Sequence, residues 1–76
     1  MTNDIKLILQ EVIQLNLNGQ LTEINQVTGI IDKHIPGELP YDRLVEITDY
    51  LQELVGCHNI PAIKAYAVKY DLTIEA

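Results

Sequence analysis

Apolar residues recur at helical spacing in four stretches of this chain and at strand spacing in one. From Asn3 to Leu17, the residues Ile5, Ile8, Leu9, Val12, Ile13 and Leu15 gather on an arc about 160° wide on a helical wheel. Lys6, Gln10, Glu11 and Gln14 fill the other side, and Leu7 falls among them, where it is expected to be exposed. Thr2 or Asn3 suits the N-cap, and Gly19 suits a left-handed close. So wide an arc predicts a helix with two neighbours, both in the chain or one in a second copy.

The next stretch predicts a helix over 21–35. Leu21, Ile24, Val27, Ile31 and Ile35 form its apolar face, Thr22 is the candidate cap, and His34 lies at the edge of the face. Gly29 sits on the polar side, where a glycine costs about 1 kcal/mol against alanine. Pro36 and Pro40 then exclude a continuous helix and predict a loop.

The third stretch, 40–56, is the most clearly amphipathic. Leu44, Ile47, Leu51, Leu54 and Val55 are predicted to face the core. Asp42, Glu46, Asp49 and Glu53 recur at i, i+4, i+7 and i+11, forming a carboxylate stripe on the opposite side. Pro40 suits the helix start, Asp42 favours the helix dipole, and Gly56 suits a left-handed close. Past the first turn the stripe costs stability, because like charges at i,i+4 are destabilising by about 0.2–0.5 kcal/mol per pair.

A fourth helix is predicted over 60–71, with Asn59 or Cys57 leading in and Pro61 in the first turn. Ile60, Ile63, Tyr66, Ala67 and Tyr70 share a face. From Val68 to Glu75 apolar and polar residues alternate, which is the period of a half-buried strand. A lone strand needs a partner, so the expectation is a helix followed by an irregular tail, with a tail extended against another chain as the alternative. Together the patterns predict an all-α fold, a small compact bundle of four short helices in a single domain spanning 1–76.

Composition narrows the function classes. Hydrophobic residues make up 47% of the chain, enough for a folded core, and the aromatics are four tyrosines. A net charge of −6 repels nucleic-acid phosphates, and no basic patch offsets it, so direct nucleic-acid binding is not expected. A protein partner with a basic surface is the natural complement. A single cysteine, Cys57, predicts a reducing compartment. The first residues lack the basic segment of a signal peptide, and no apolar run approaches the roughly 18 residues of a membrane span. The expected location is the cytoplasm, with no membrane partner.

Candidate chemistry is sparse. His34, Cys57 and His58 lack metal-ligand spacing, so neither a metal site nor a cofactor is predicted. Cys57 would need His34 or His58 brought to it by the fold to act as a nucleophile. A solvated carboxylate stripe is not tuned for acid–base work. No catalytic residue and no enzyme activity are predicted. The expected function is binding: Asp42, Glu46, Asp49 and Glu53, with Glu38, engage a basic partner and modulate or inhibit it, while Leu7, Val45 and Tyr50 supply apolar anchors. The alternative is an assembly module, a homodimer or larger homo-oligomer formed through the first helix and the tail.

Overall fold

α1 (Asn3–Leu17) runs through the middle of the molecule in a computed structural model that describes residues 1–75. Ile5, Ile8, Leu9 and Ile13 have no exposed surface, and Val12 has 4%. Around them pack α2 (Ile24–His34), α3 (Tyr41–Val55), α4 (Ile60–Lys69) and the extended tail after α4. α2 contributes Ile30, α3 contributes Ile47 and Leu54, α4 contributes Ile63, Tyr66 and Ala67, and the tail contributes Leu72. The fold is an all-α bundle with one core. The broad arc of α1 is covered by neighbours within the chain itself.

The helix ends show how the chain turns. Gly19 adopts φ +70, and the amides of Gly19 and Gln20 bond back to the carbonyls of Asn16 and Leu15. That is a Schellman close with glycine in the left-handed position, as its place after Asn18 predicts. α4 ends the same way, but with Asp71 at φ +55, and the amides of Asp71 and Leu72 bond to Val68 and Ala67. Aspartate tolerates this conformation better than most side chains. Asn59 caps α4 by accepting from the Ala62 amide at 2.9 Å. Gly56, expected to be left-handed, is instead helical at φ −70; the amides of Gly56 and Cys57 close α3 with bonds to Gln52, Glu53 and Leu54.

α2 departs from its predicted start. It begins at Ile24 rather than Leu21, with Glu23 at the N-cap position in place of Thr22. Gln26 explains the delay. Its Oε1 accepts from the amides of Thr22 and Glu23, and its Nε2 donates to the Gln20 carbonyl. An earlier helix would have used the Gln20 carbonyl internally but left the Thr22 and Glu23 amides in its first turn without partners, whereas Gln26 serves all three. The buried face is correspondingly shifted: Ile30 is the deepest residue and Ile24 is 81% exposed. Gly29 faces open space, so no close backbone approach accounts for it.

The alternating tail finds its partner on α1. Leu72 is buried and Ile74 half-buried, while the amides of Thr73 and Glu75 bond to Oε1 of Gln10 and Gln14, both at 2.9 Å. Gln14 Nε2 returns a bond to the Glu75 carbonyl. Two residues of extended chain rise about 6.6 Å. Four residues of helix rise about 6 Å. Two glutamines one turn apart therefore present acceptors at nearly the spacing of a neighbouring strand.

Two outcomes test this architecture. Leu9→Ala is expected to cost about 2–5 kcal/mol. That is a large share of the roughly 4–11 kcal/mol available to a chain of this size. Leu7→Ala, at a 37% exposed position, is expected to cost under about 0.5 kcal/mol. Urea denaturation of both variants reads the contrast. In the tail, Gln14→Ala is expected to speed hydrogen exchange of the Glu75 amide while lowering stability by no more than about 1.5 kcal/mol per lost bond. Unchanged exchange would count against the glutamine ladder.

Candidate functional site

α3 carries the residues predicted to bind a partner, and its orientation decides what they present. Ile47 and Leu54 are buried, and Tyr50 and Leu51 are half-buried. Leu44 and Val55, expected in the core, are 44% and 76% exposed. The helix is rolled about 40° from the expected orientation, bringing Tyr50 inward. The cause is a tyrosine cluster at the α3–α4 seam. Tyr66 donates its hydroxyl to the Tyr50 carbonyl at 2.8 Å. The Tyr50 and Tyr66 rings meet Tyr70 edge-on, with centroids 5.1 and 4.9 Å away. Such pairs add about 0.5–1.5 kcal/mol beyond their area. Burial raises the Tyr66 hydroxyl well above the ordinary phenol range.

The roll moves the carboxylate stripe from the outermost face to a flank of α3. Glu38, Asp42, Asp49 and Glu53 are exposed, while Glu46 is half-buried. Glu53 is already engaged: Tyr70 donates to its Oε1 at 2.7 Å and Lys69 to its Oε2 at 3.0 Å. The Tyr70 hydroxyl, and then Lys69, hold its carboxyl below the ordinary carboxylate value, while Glu53 in turn raises the Lys69 ammonium. Of the anchors, Val45 is 40% and Leu7 37% exposed, whereas Tyr50 is committed to the tyrosine cluster.

Most cations are spent elsewhere. Lys6 pairs with Asp71, Lys33 with Glu11, Arg43 with Asp4 and Lys69 with Glu53. Arg43, the cation nearest the stripe in sequence, thus turns toward the start of α1. Glu38, Asp42, Glu46 and Asp49 make no ion pair among the described residues. They leave a run of uncompensated negative charge from the 35–40 loop along α3.

The remaining candidates are dispersed. His34 lies on the α1–α2 seam, its Nε2 against Glu11 Oε2, beside Lys33 on Oε1 at 2.7 Å. Cys57 is half-buried, with its Sγ 3.6 Å from the Glu53 carbonyl, and exposed His58 shares a shallow depression with it. Among the described residues, no three His, Cys, Asp or Glu side chains converge on a metal-sized site. No described helix is long and apolar enough to cross a membrane. The sequence reading missed the exposed apolar residues Ile24, Tyr41, Leu44 and Val55. Tyr41, Leu44, Leu51 and Val55 follow helical spacing, so the signal was a second apolar edge beside the core positions. No protein-family model, curated protein sequence or solved structure matches the chain.

The Glu11 cluster generates a pH dependence. The Lys33 hydrogen bond, with help from His34 and against partial burial, holds the Glu11 carboxyl below its ordinary value of 4.5. A depressed carboxyl stabilises the fold above its unfolded value and loses that contribution as pH falls through the folded value. Wild type is therefore expected to lose more stability below pH 4.5 than Glu11→Gln does. Denaturation midpoints of both proteins across that range check it, and the comparison cancels the neutralisation of the other acids.

Proposed function

We propose that this chain is a non-enzymatic binding protein that captures a protein with a basic surface, and modulates or inhibits it, through the acidic flank of α3. The observation that carries this reading is the distribution of charge on that flank. Three of the five Lys and Arg side chains are paired away from it, a fourth, Lys69, is taken up by Glu53, and Glu38, Asp42, Glu46 and Asp49 have no cation of their own among the described residues. Carboxylates at i,i+4 oppose helix formation slightly, so stability alone does not favour keeping them together. A partner bearing Lys or Arg would be steered toward this field and would relieve the repulsion within it.

Within the flank the residues take different roles. Asp42 and Asp49 are the exposed, uncommitted charges, and Glu38 extends them into the loop. Glu46, half-buried, is placed for contact at the inner edge. Glu53 contributes less, because Lys69 already neutralises it. Val45, between the stripe and the outer surface, is the apolar anchor, and Tyr41 adds a second, 76% exposed.

The test is charge reversal. Asp42→Lys with Asp49→Lys alters two exposed positions and leaves the core untouched. Capture of a basic protein by the wild type at low salt, its loss at high salt and a drop of at least about tenfold in the doubly reversed variant is the expected pattern. Equal capture by both proteins would sink the proposal.

A further inference from the structure

We propose that Asn18 is a site of spontaneous covalent modification: its side-chain amide is lost through attack by the Gly19 nitrogen, at a rate set by opening of the α1 close. This goes beyond the acidic-flank reading and does not depend on it. The chain has four glycines, and Asn18 is the one asparagine that directly precedes any of them. Both Asn18 and Gly19 are exposed, and nothing lies within 4 Å of where a Cβ on Gly19 would stand. The Gly19 nitrogen thus has no side chain of its own and no neighbour to hinder ring closure.

The reaction balances with water alone. The Gly19 nitrogen gives its proton to hydroxide and bonds to Asn18 Cγ. The bond from Cγ to the side-chain nitrogen breaks, and that nitrogen leaves as ammonia with a proton from water. The resulting cyclic imide then takes up a water. Opening at Cγ leaves an ordinary aspartate. Opening at the main-chain carbonyl leaves isoaspartate, with the chain running through Cγ. Either product adds a negative charge at neutral pH.

The fold holds this reaction back. Ring closure needs the Gly19 nitrogen eclipsed with Cβ of Asn18. Asn18 has ψ −1, which sets that nitrogen beside its own amide nitrogen instead. Substituents on a tetrahedral Cα are about 120° apart, so ψ must turn by about that much. The Gly19 amide also donates to the Asn16 carbonyl at 3.1 Å, and the Gln20 amide to the Leu15 carbonyl at 2.8 Å. The Asn18 side chain is held as well, its Oδ1 accepting from Gln14 Nε2 at 3.2 Å. Attack waits for these bonds to open, and helix ends open far more readily than a core. Isoaspartate lengthens the main chain by one atom and so moves the Gly19 and Gln20 amides off their carbonyls. The new charge lies at the C-terminus of α1, where the helix dipole disfavours it.

Incubation of the full chain in mildly alkaline buffer, with and without urea, tests the proposal by intact mass, released ammonia and peptide mapping. Conversion at position 18 is expected in both, slower in the native protein by about 10- to 100-fold because two backbone bonds must open first. Hydrogen exchange of the Gly19 and Gln20 amides measures the open fraction without any substitution. The native rate is expected to equal the urea rate multiplied by that fraction. Asn18→Gln, which could close only a larger ring, is expected to stay unconverted and folded. Native Asn18 that stays intact over the time set by the measured open fraction overturns the site. Equal rates in native buffer and urea overturn control by the α1 close. Ammonia released from Asn18→Gln as fast as from wild type overturns the assignment to Asn18.

Discussion

α1 has an apolar arc wider than any one helix can cover, and burying that arc is the constraint to which the other elements answer. Ridges of one helix fill the grooves of one neighbour at a time, so an arc about 160° wide demands contacts from several directions. α2, α3 and α4 supply them, and the tail adds Leu72. The polar side of α1 fixes their registers. Glu11 holds the end of α2 through Lys33 and His34, Asp4 holds Arg43 of α3, Lys6 reaches Asp71, and Gln10 and Gln14 hold the tail. Burial draws the elements onto α1, and these polar contacts set where along it each comes to rest.

The tyrosine cluster then decides which side of α3 is left for other molecules. An aliphatic side chain is satisfied by any dry neighbour. A tyrosine needs a dry ring environment and a partner for its hydroxyl. Tyr66 meets both needs by bonding to the Tyr50 carbonyl, and that bond brings Tyr50 inward. The roll has two consequences on opposite sides of one helix. Glu53 comes within reach of Lys69 and Tyr70 and is partly neutralised, while Leu44 and Val55 turn out toward solvent.

How much of this was legible follows from the kind of signal each feature leaves. The arc of α1 was readable because apolar burial is the strongest force driving the chain to fold and the residues of the arc are all aliphatic. The caps at Gly19 and Asn59 were readable because each rests on local backbone chemistry. The roll of α3 was hidden because a wheel weights Leu44, Val55 and Tyr50 by apolarity alone, and the deciding bond comes from Tyr66, sixteen positions on. The late start of α2 was hidden in Gln26, which reads as a neutral surface residue until its bonds to Gln20, Thr22 and Glu23 are seen. The tail lay between these cases. Its alternation kept open a strand paired with another chain, but Val68 and Lys69 belong to α4 and the expected irregular tail follows, with Leu72 buried, Ile74 half-buried and the Thr73 and Glu75 amides held by two glutamines of α1. The stripe was legible as a charge pattern, whereas the commitment of Glu53 and the half-burial of Glu46 depend on where α4 lies.

The apolar groove between α2 and α3 is separated from the acidic flank of α3, and the separation has a physical rationale. A small domain cannot hide all of its apolar side chains, because surface falls too slowly with chain length. If the leftover apolar surface were ringed with carboxylates, covering it would strand those charges in a dry contact, where an unpaired ion is costly. With the acids gathered on one flank of α3 and the groove on the other, the groove can be covered without desolvating more than Glu23. The acidic flank, for its part, stays in water until a cation meets it. Mixing the two patches would weaken both, since the field would lose its sign and the groove its dryness. Their separation is fixed by the positions of Val55, Asp42 and Asp49 around α3; the roll set by Tyr50, Tyr66 and Tyr70 decides only that Val55 comes out at the groove's rim instead of entering the core.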